Sequence, residues 1–88
     1  MQFQPPTSQS RLVGHVTKTL LVQLETVCEA CCFDDDDCIS VNFGPQRKGR
    51  QHICELSLSD HNIHPKDLMQ QQGFIYKSVW VSNSIRIY

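Results

Sequence analysis

The stretch CEACCFDDDDC, residues 28–38, packs four cysteines and four consecutive aspartates into one short segment. Its reading decides the fold. Cys28 and Cys32 stand at i and i+4, so on a helix both point from the same stripe. Just upstream, Thr26 and Glu29 have the spacing of a capping box, which predicts a helix over residues 27–33. Carboxylates at a helix C-terminus oppose its dipole, so the aspartates at 34–37 belong in a turn. That turn brings Cys38 back toward Cys32.

The fifth cysteine, Cys54, lies in a short β-type segment. Any four of the five cysteines can pair in three ways. The cheapest nested arrangement joins Cys32 to Cys38 across the aspartate turn and Cys28 to Cys54 on a strand packed against the helical stripe. On the chain-entropy account these bridges are worth roughly 2.4 and 3.5 kcal/mol. Cys31 is then left unpaired. Burial as a small apolar residue is the expected fate; an intermolecular disulfide, or a partner outside this sequence, are the other two.

Bulk properties narrow the class. Eighty-eight residues make one domain with a thin core. Forty per cent hydrophobic residues and a formal net charge of -1 argue against disorder and against a basic nucleic-acid-binding surface. No apolar run approaches the roughly 20 residues of a membrane span, so membrane attachment is expected only through a parent protein. The opening MQFQPPTSQSR lacks the basic start and apolar stretch of a signal peptide. Five cysteines nevertheless suit an oxidised, secreted domain that needs cross-links. The two observations agree if the sequence is a piece of a longer extracellular protein.

Along the chain, residues 1–10, with Pro5 and Pro6, read as a flexible leader, and residues 11–88 as the domain. Residues 11–22 are rich in β-branched side chains and predict one strand with a bulge at Gly14. Ile39, Val41 and Phe43 alternate with Ser40 and Asn42, predicting a strand with a single apolar face. A polar loop over 44–51 and a strand over 52–56 follow. Residues 57–72 read as a polar surface excursion with one short helical turn near 65–69. Residues 73–81, GFIYKSVWV, form the clearest β segment, and the tail to Tyr88 is expected to continue it at an edge.

The order Cys28-x3-Cys32-x5-Cys38-Ile-Ser-Val-Asn-Phe, then Cys54-Glu-Leu and Gly73-Phe-x-Tyr, resembles the PAN/apple family. Leu12-Val-Gly-His-Val fits that family's opening strand. The resemblance implies an α+β fold: a small disulfide-stapled domain in which one helix packs on a curled antiparallel sheet of about five strands. It also implies an extracellular, non-catalytic module that binds proteins or glycans. No cysteine lies near either end to join the termini as in apple domains proper. The sequence is therefore closer to the plain PAN type, similar to the N-terminal domain of hepatocyte growth factor.

Four rival chemistries are weaker. Cys28-x2-Cys31 with His61-x2-His64 offers zinc ligand types, but at the wrong spacing. Cys28-Glu-Ala-Cys31 has the C-x-x-C form without the βαβ setting of a redox motif. The aspartate run lacks the alternation, glycine and final glutamate of a calcium loop. Ser59-Asp60-His61 holds triad residue types in a row, whereas a triad is assembled in space. No cofactor, metal or catalytic residue is expected.

One positive signal remains. Arg47, Lys48 and Arg50 share a loop, with His52 beside it, and their guanidinium forks and ammonium suit sulfate groups. They are the candidate contact for a sulfated, heparin-like glycan, with a protein ligand as the other partner class. A structural spacer in a modular secreted or matrix protein is the alternative reading. If the glycan reading holds, the acidic 34–37 turn must face away from this loop.

Overall fold

The computed structural model describes residues 2–47 and 49–79. In chain order it contains β1 (Thr7–Leu12), β2 (Val16–Val22), α1 (Glu25–Phe33), β3 (Ser40–Gln46), β4 (His52–Ser57), a single 3-10 turn (Pro65–Asp67) and β5 (Leu68–Ser78). The strands form one sheet in the order β1-β5-β3-β4-β2, and every neighbouring pair is antiparallel. This is the α+β architecture that the family resemblance implies, with five strands and one helix among the described residues.

Helix α1 lies across β2, β3 and β4. Its buried stripe is Cys28 and Cys32, which meet Val22, Cys38, Val41, Cys54, Leu56 and Val79 in the main core. Two disulfides run through that core. Cys28–Cys54 fastens the helix to β4, and Cys32–Cys38 closes the turn behind it, with Cα atoms 5.6 and 5.2 Å apart.

The helix begins earlier than its sequence predicts. Leu24 is the extended N-cap, no side chain caps it, and Glu25 occupies the first turn, where a carboxylate suits the dipole. The Thr26–Glu29 capping box does not form. Glu29 is engaged elsewhere: its carboxylate accepts a 2.7 Å hydrogen bond from Lys77 on β5, and Glu25 pairs with the same ammonium at 2.8 Å. The helix ends where the aspartates begin, with Asp34 as C-cap. Cys38 then donates its backbone N–H to Asp35, which tightens the turn.

The predicted strand over 11–22 is two strands. Gly14, at φ +89°, is the bend between them rather than a bulge, and β1 and β2 end up on opposite edges of the sheet. The bulges lie instead between Ser8 and Ser10 and between Val16 and Lys18. Residues 7–10, read as leader, pair with β5, and Phe3 bridges Val79. Residues 68–72, read as part of a surface excursion, are the first half of β5. The predicted loop over 44–51 is shorter, because β3 runs on to Gln46. The expected strand ending at Val81 and the edge strand to Tyr88 reach outside the described residues.

Val41 and Phe43 share the core-facing side of β3 as expected, but the polar side of this strand is buried as well. Ser40 and Asn42 are fully enclosed, beneath β1 on one side and residues 58–64 on the other. Asn42 Oδ1 accepts the Leu12 N–H at 2.9 Å, while its Nδ2 donates to the Leu12 carbonyl at 2.8 Å and to Glu55 Oε1 at 3.0 Å. Glu55 in turn takes two hydrogen bonds from Arg11, at 2.8 and 2.6 Å. Ser40 Oγ donates to the Ser59 carbonyl at 2.6 Å. Ser57 and Ser78 flank Ser40 on the neighbouring strands, and their buried hydroxyls find no partner among the described residues.

Gly44 fills a tight place on this face. A Cβ there would stand 2.7 Å from the Phe74 ring and 3.1 Å from Ile53 Cβ, and Phe74 is itself buried. Gly44→Ala should therefore destabilise the domain by roughly 1–3 kcal/mol, read from the urea midpoint. An unchanged midpoint would mean that the ring has room to swing aside.

Candidate functional site

The basic candidate residues sit at the tip of the β3–β4 hairpin. Arg47 donates its backbone N–H to the Gln51 carbonyl at 2.6 Å, and Gln46 Nε2 donates to the Gly49 carbonyl at 2.8 Å, which together close the turn. Gly49 adopts φ +66° there, a left-handed conformation that glycine takes without strain. At the base of the turn His52 stacks on Phe43, with ring centroids 4.7 Å apart, and its Nδ1 meets the Gly44 carbonyl at 3.0 Å. Arg47 and Arg50 are exposed. Lys48 lies outside the described residues.

Three other cations are occupied. Arg11 is held by Glu55, Lys18 by Asp35 at 3.0 Å, and Lys77 by Glu25 and Glu29. Burial works against the Lys77 charge, yet its hydrogen bonds to the two carboxylates outweigh that and raise its pKa above the usual lysine value. Among the described residues, Arg47, Arg50 and Lys66 take part in no ion pair.

The acidic turn precedes β3 and the basic tip follows it, so the two lie at opposite ends of a seven-residue strand, roughly 20 Å apart at the usual rise per residue. The turn is also partly neutralised. Asp35 accepts the Asp37 N–H at 2.9 Å and pairs with Lys18, and these contacts hold its carboxyl below the ordinary aspartate range.

The rival constellations come apart. Cys28 is consumed by its bridge to Cys54, which removes one thiol from both the C-x-x-C and the cysteine–histidine zinc quartet. Cys31 is a free, half-buried thiol against the core. Ser59 Oγ meets His64 Nδ1 at 2.6 Å rather than His61. Asp60 instead accepts the backbone N–H groups of Asn62 and Ile63, and His61 Nδ1 contacts the Tyr76 hydroxyl at 3.0 Å. Burial raises the pKa of that Tyr76 phenol. The three neighbours thus serve three separate loop contacts.

The fold assembles a different cluster, to which no sequence spacing points. His15 Nε2 lies 2.7 Å from Asp67 Oδ2, across 52 residues of sequence. The His64 ring stacks on His15 with centroids 4.1 Å apart. His15 comes from the turn after Gly14 and Asp67 from the 3-10 turn, and the Val13 N–H joins them by donating to the Asp67 carbonyl at 3.0 Å.

Compared with known families, the chain matches the family model described as PAN domain over residues 6–78. No curated protein and no solved structure shows a significant match.

Proposed function

The chain belongs to the PAN domain family, and from that premise we propose a non-catalytic recognition module of a modular extracellular protein, with the β3–β4 tip as its contact for sulfated glycans. The family in general mediates protein or carbohydrate binding in such proteins, and the two disulfides fit an oxidising compartment. No helix among the described residues is long and apolar enough to cross a membrane.

The observation that carries the glycan reading is the distribution of charge. Arg11, Lys18 and Lys77 are spent on internal ion pairs, whereas Arg47 and Arg50 project unpaired from a hairpin tip. Guanidinium groups pair with sulfate oxygens through two parallel hydrogen bonds. The aspartate turn, roughly 20 Å away, lies beyond a Debye length of about 8–10 Å at physiological salt, so its repulsion of a polyanion is largely screened.

Retention on immobilised heparin should fall as salt rises. Exposed charge contacts contribute up to about 1 kcal/mol each. The variant Arg47→Ala/Lys48→Ala/Arg50→Ala should therefore bind about ten- to a hundredfold more weakly while unfolding at the parent midpoint. Absence of binding by the folded parent at low salt would remove the glycan reading and leave a protein ligand or the structural spacer.

A further inference from the structure

The geometry points to a divalent metal site of the zinc class formed by His15, His64 and Asp67, independent of the basic tip. One donor atom from each residue lies within 4.8 Å of the others. Two imidazoles and a carboxylate make a donor set suited to Zn²⁺ and its neighbours among the divalent first-row metals, with a further position left for water or for a group on a partner.

The backbone around the three donors is tied down from several directions. His15 accepts the Leu58 N–H on its carbonyl at 3.1 Å, and the Asp67 carbonyl accepts the Val13 N–H at 3.0 Å. His64 donates its N–H to the Asp60 carbonyl at 2.9 Å and accepts the Asp67 N–H at 3.1 Å. The donors therefore converge from two fastened segments, not from a loose loop.

The outer contact fits as well. Ser59 is 1% exposed, and its hydroxyl meets His64 Nδ1 at 2.6 Å. Donation of Nδ1–H to that buried oxygen would leave the lone pair on Nε2, and such a second hydrogen bond is how metal-binding histidines are usually oriented. The groups that must move are the accessible ones. A tetrahedral zinc with bonds of about 2.0–2.1 Å spaces its ligand atoms about 3.3 Å apart. Asp67 must open its 2.7 Å contact with His15, and His64 must turn out of its stack. His64 is exposed and the Asp67 side chain is 41% exposed, while that of His15, at 18%, stays as the anchor. Solvent reaches the site along the same side, which provides the entry path.

Titrating Zn²⁺ by calorimetry, and Co²⁺ by visible absorption, into oxidised Cys31→Ser protein tests this without interference from the free thiol. One ion per chain is expected, with His15 and His64 ring signals shifted in NMR spectra. His64→Gln and Asp67→Asn, both at accessible positions, should each weaken binding by at least about tenfold with the fold retained. The folded parent failing to bind Zn²⁺ would overturn the site. So would binding that persists unchanged in both variants, which would place the ion elsewhere.

Discussion

Replacing Cys28 and Cys54 together with alanine should lower the unfolding free energy by about 3.5 kcal/mol, the entropy that this cross-link removes from the unfolded chain. For a domain of this size that corresponds to a fall in Tm of roughly 14–28 °C. The bridge spans 26 positions in sequence and lands on a residue that faces Leu20 of β2 and Phe43 of β3. It therefore pins the helix to the middle of three strands. The same exchange at Cys32 and Cys38 should cost about 2.4 kcal/mol, because it closes only a short turn. Urea unfolding of the two double variants measures the order. If the Cys32/Cys38 variant loses as much or more, loop closure does not govern the stability.

Removing the amide of Asn42 should be comparably severe. Asn42→Ala leaves the Leu12 N–H and carbonyl without partners and takes one donor from Glu55. All of this happens where Asn42 and Leu12 are fully buried. Buried groups deprived of partners cost roughly 1–3 kcal/mol each, so a loss of about 3–5 kcal/mol is expected from a total that rarely exceeds about 15. Asn42→Asp separates hydrogen bonding from volume. Its shape is unchanged, but an oxygen now faces the Leu12 carbonyl and the Glu55 carboxylate. It should be at least as destabilising as alanine at neutral pH, and the deficit should narrow in acid, where a protonated carboxyl can donate again. An Asn42→Asp protein as stable as its parent at pH 7 would show that the network contributes little.

Which parts of this molecule were legible beforehand follows from where the apolar side chains are. The i, i+4 cysteines marked the buried stripe of α1, and alternation at Val41 and Phe43 marked the helix-facing side of β3. Those signals come from burial, which leaves a pattern. The ribbon of β1 with the first half of β5 left none. Residues 7–9 and 69–73 are exposed on it, so the pairing rests on backbone hydrogen bonds that any polar sequence can make. Ser40 and Asn42 misled for a related reason. Polar alternation reads as a wet face, yet here loops and β1 cover it, and Ser40 and Asn42 are satisfied by the Ser59 and Leu12 backbone and by Glu55. The basic tip was visible as a run of charges. The His15–His64–Asp67 cluster was invisible, because a 52-residue gap between His15 and Asp67 is set by the sheet order and not by any local spacing.

Phe3 lies opposite Val79, and β1 runs antiparallel to β5 from that point. The chain enters and leaves the described structure side by side. In a string of modules, tension applied through the flanking segments would load the β1–β5 ladder in peeling geometry, parting its hydrogen bonds one after another instead of shearing them together. The domain would then yield first where Phe3 meets Val79 and Thr7 meets Tyr76, before the polar ribbon further along β1. Extension would stop at the Cys28–Cys54 bond, which keeps the chain between those residues from ever paying out. The arrangement is that of a short tether with a built-in limit of travel.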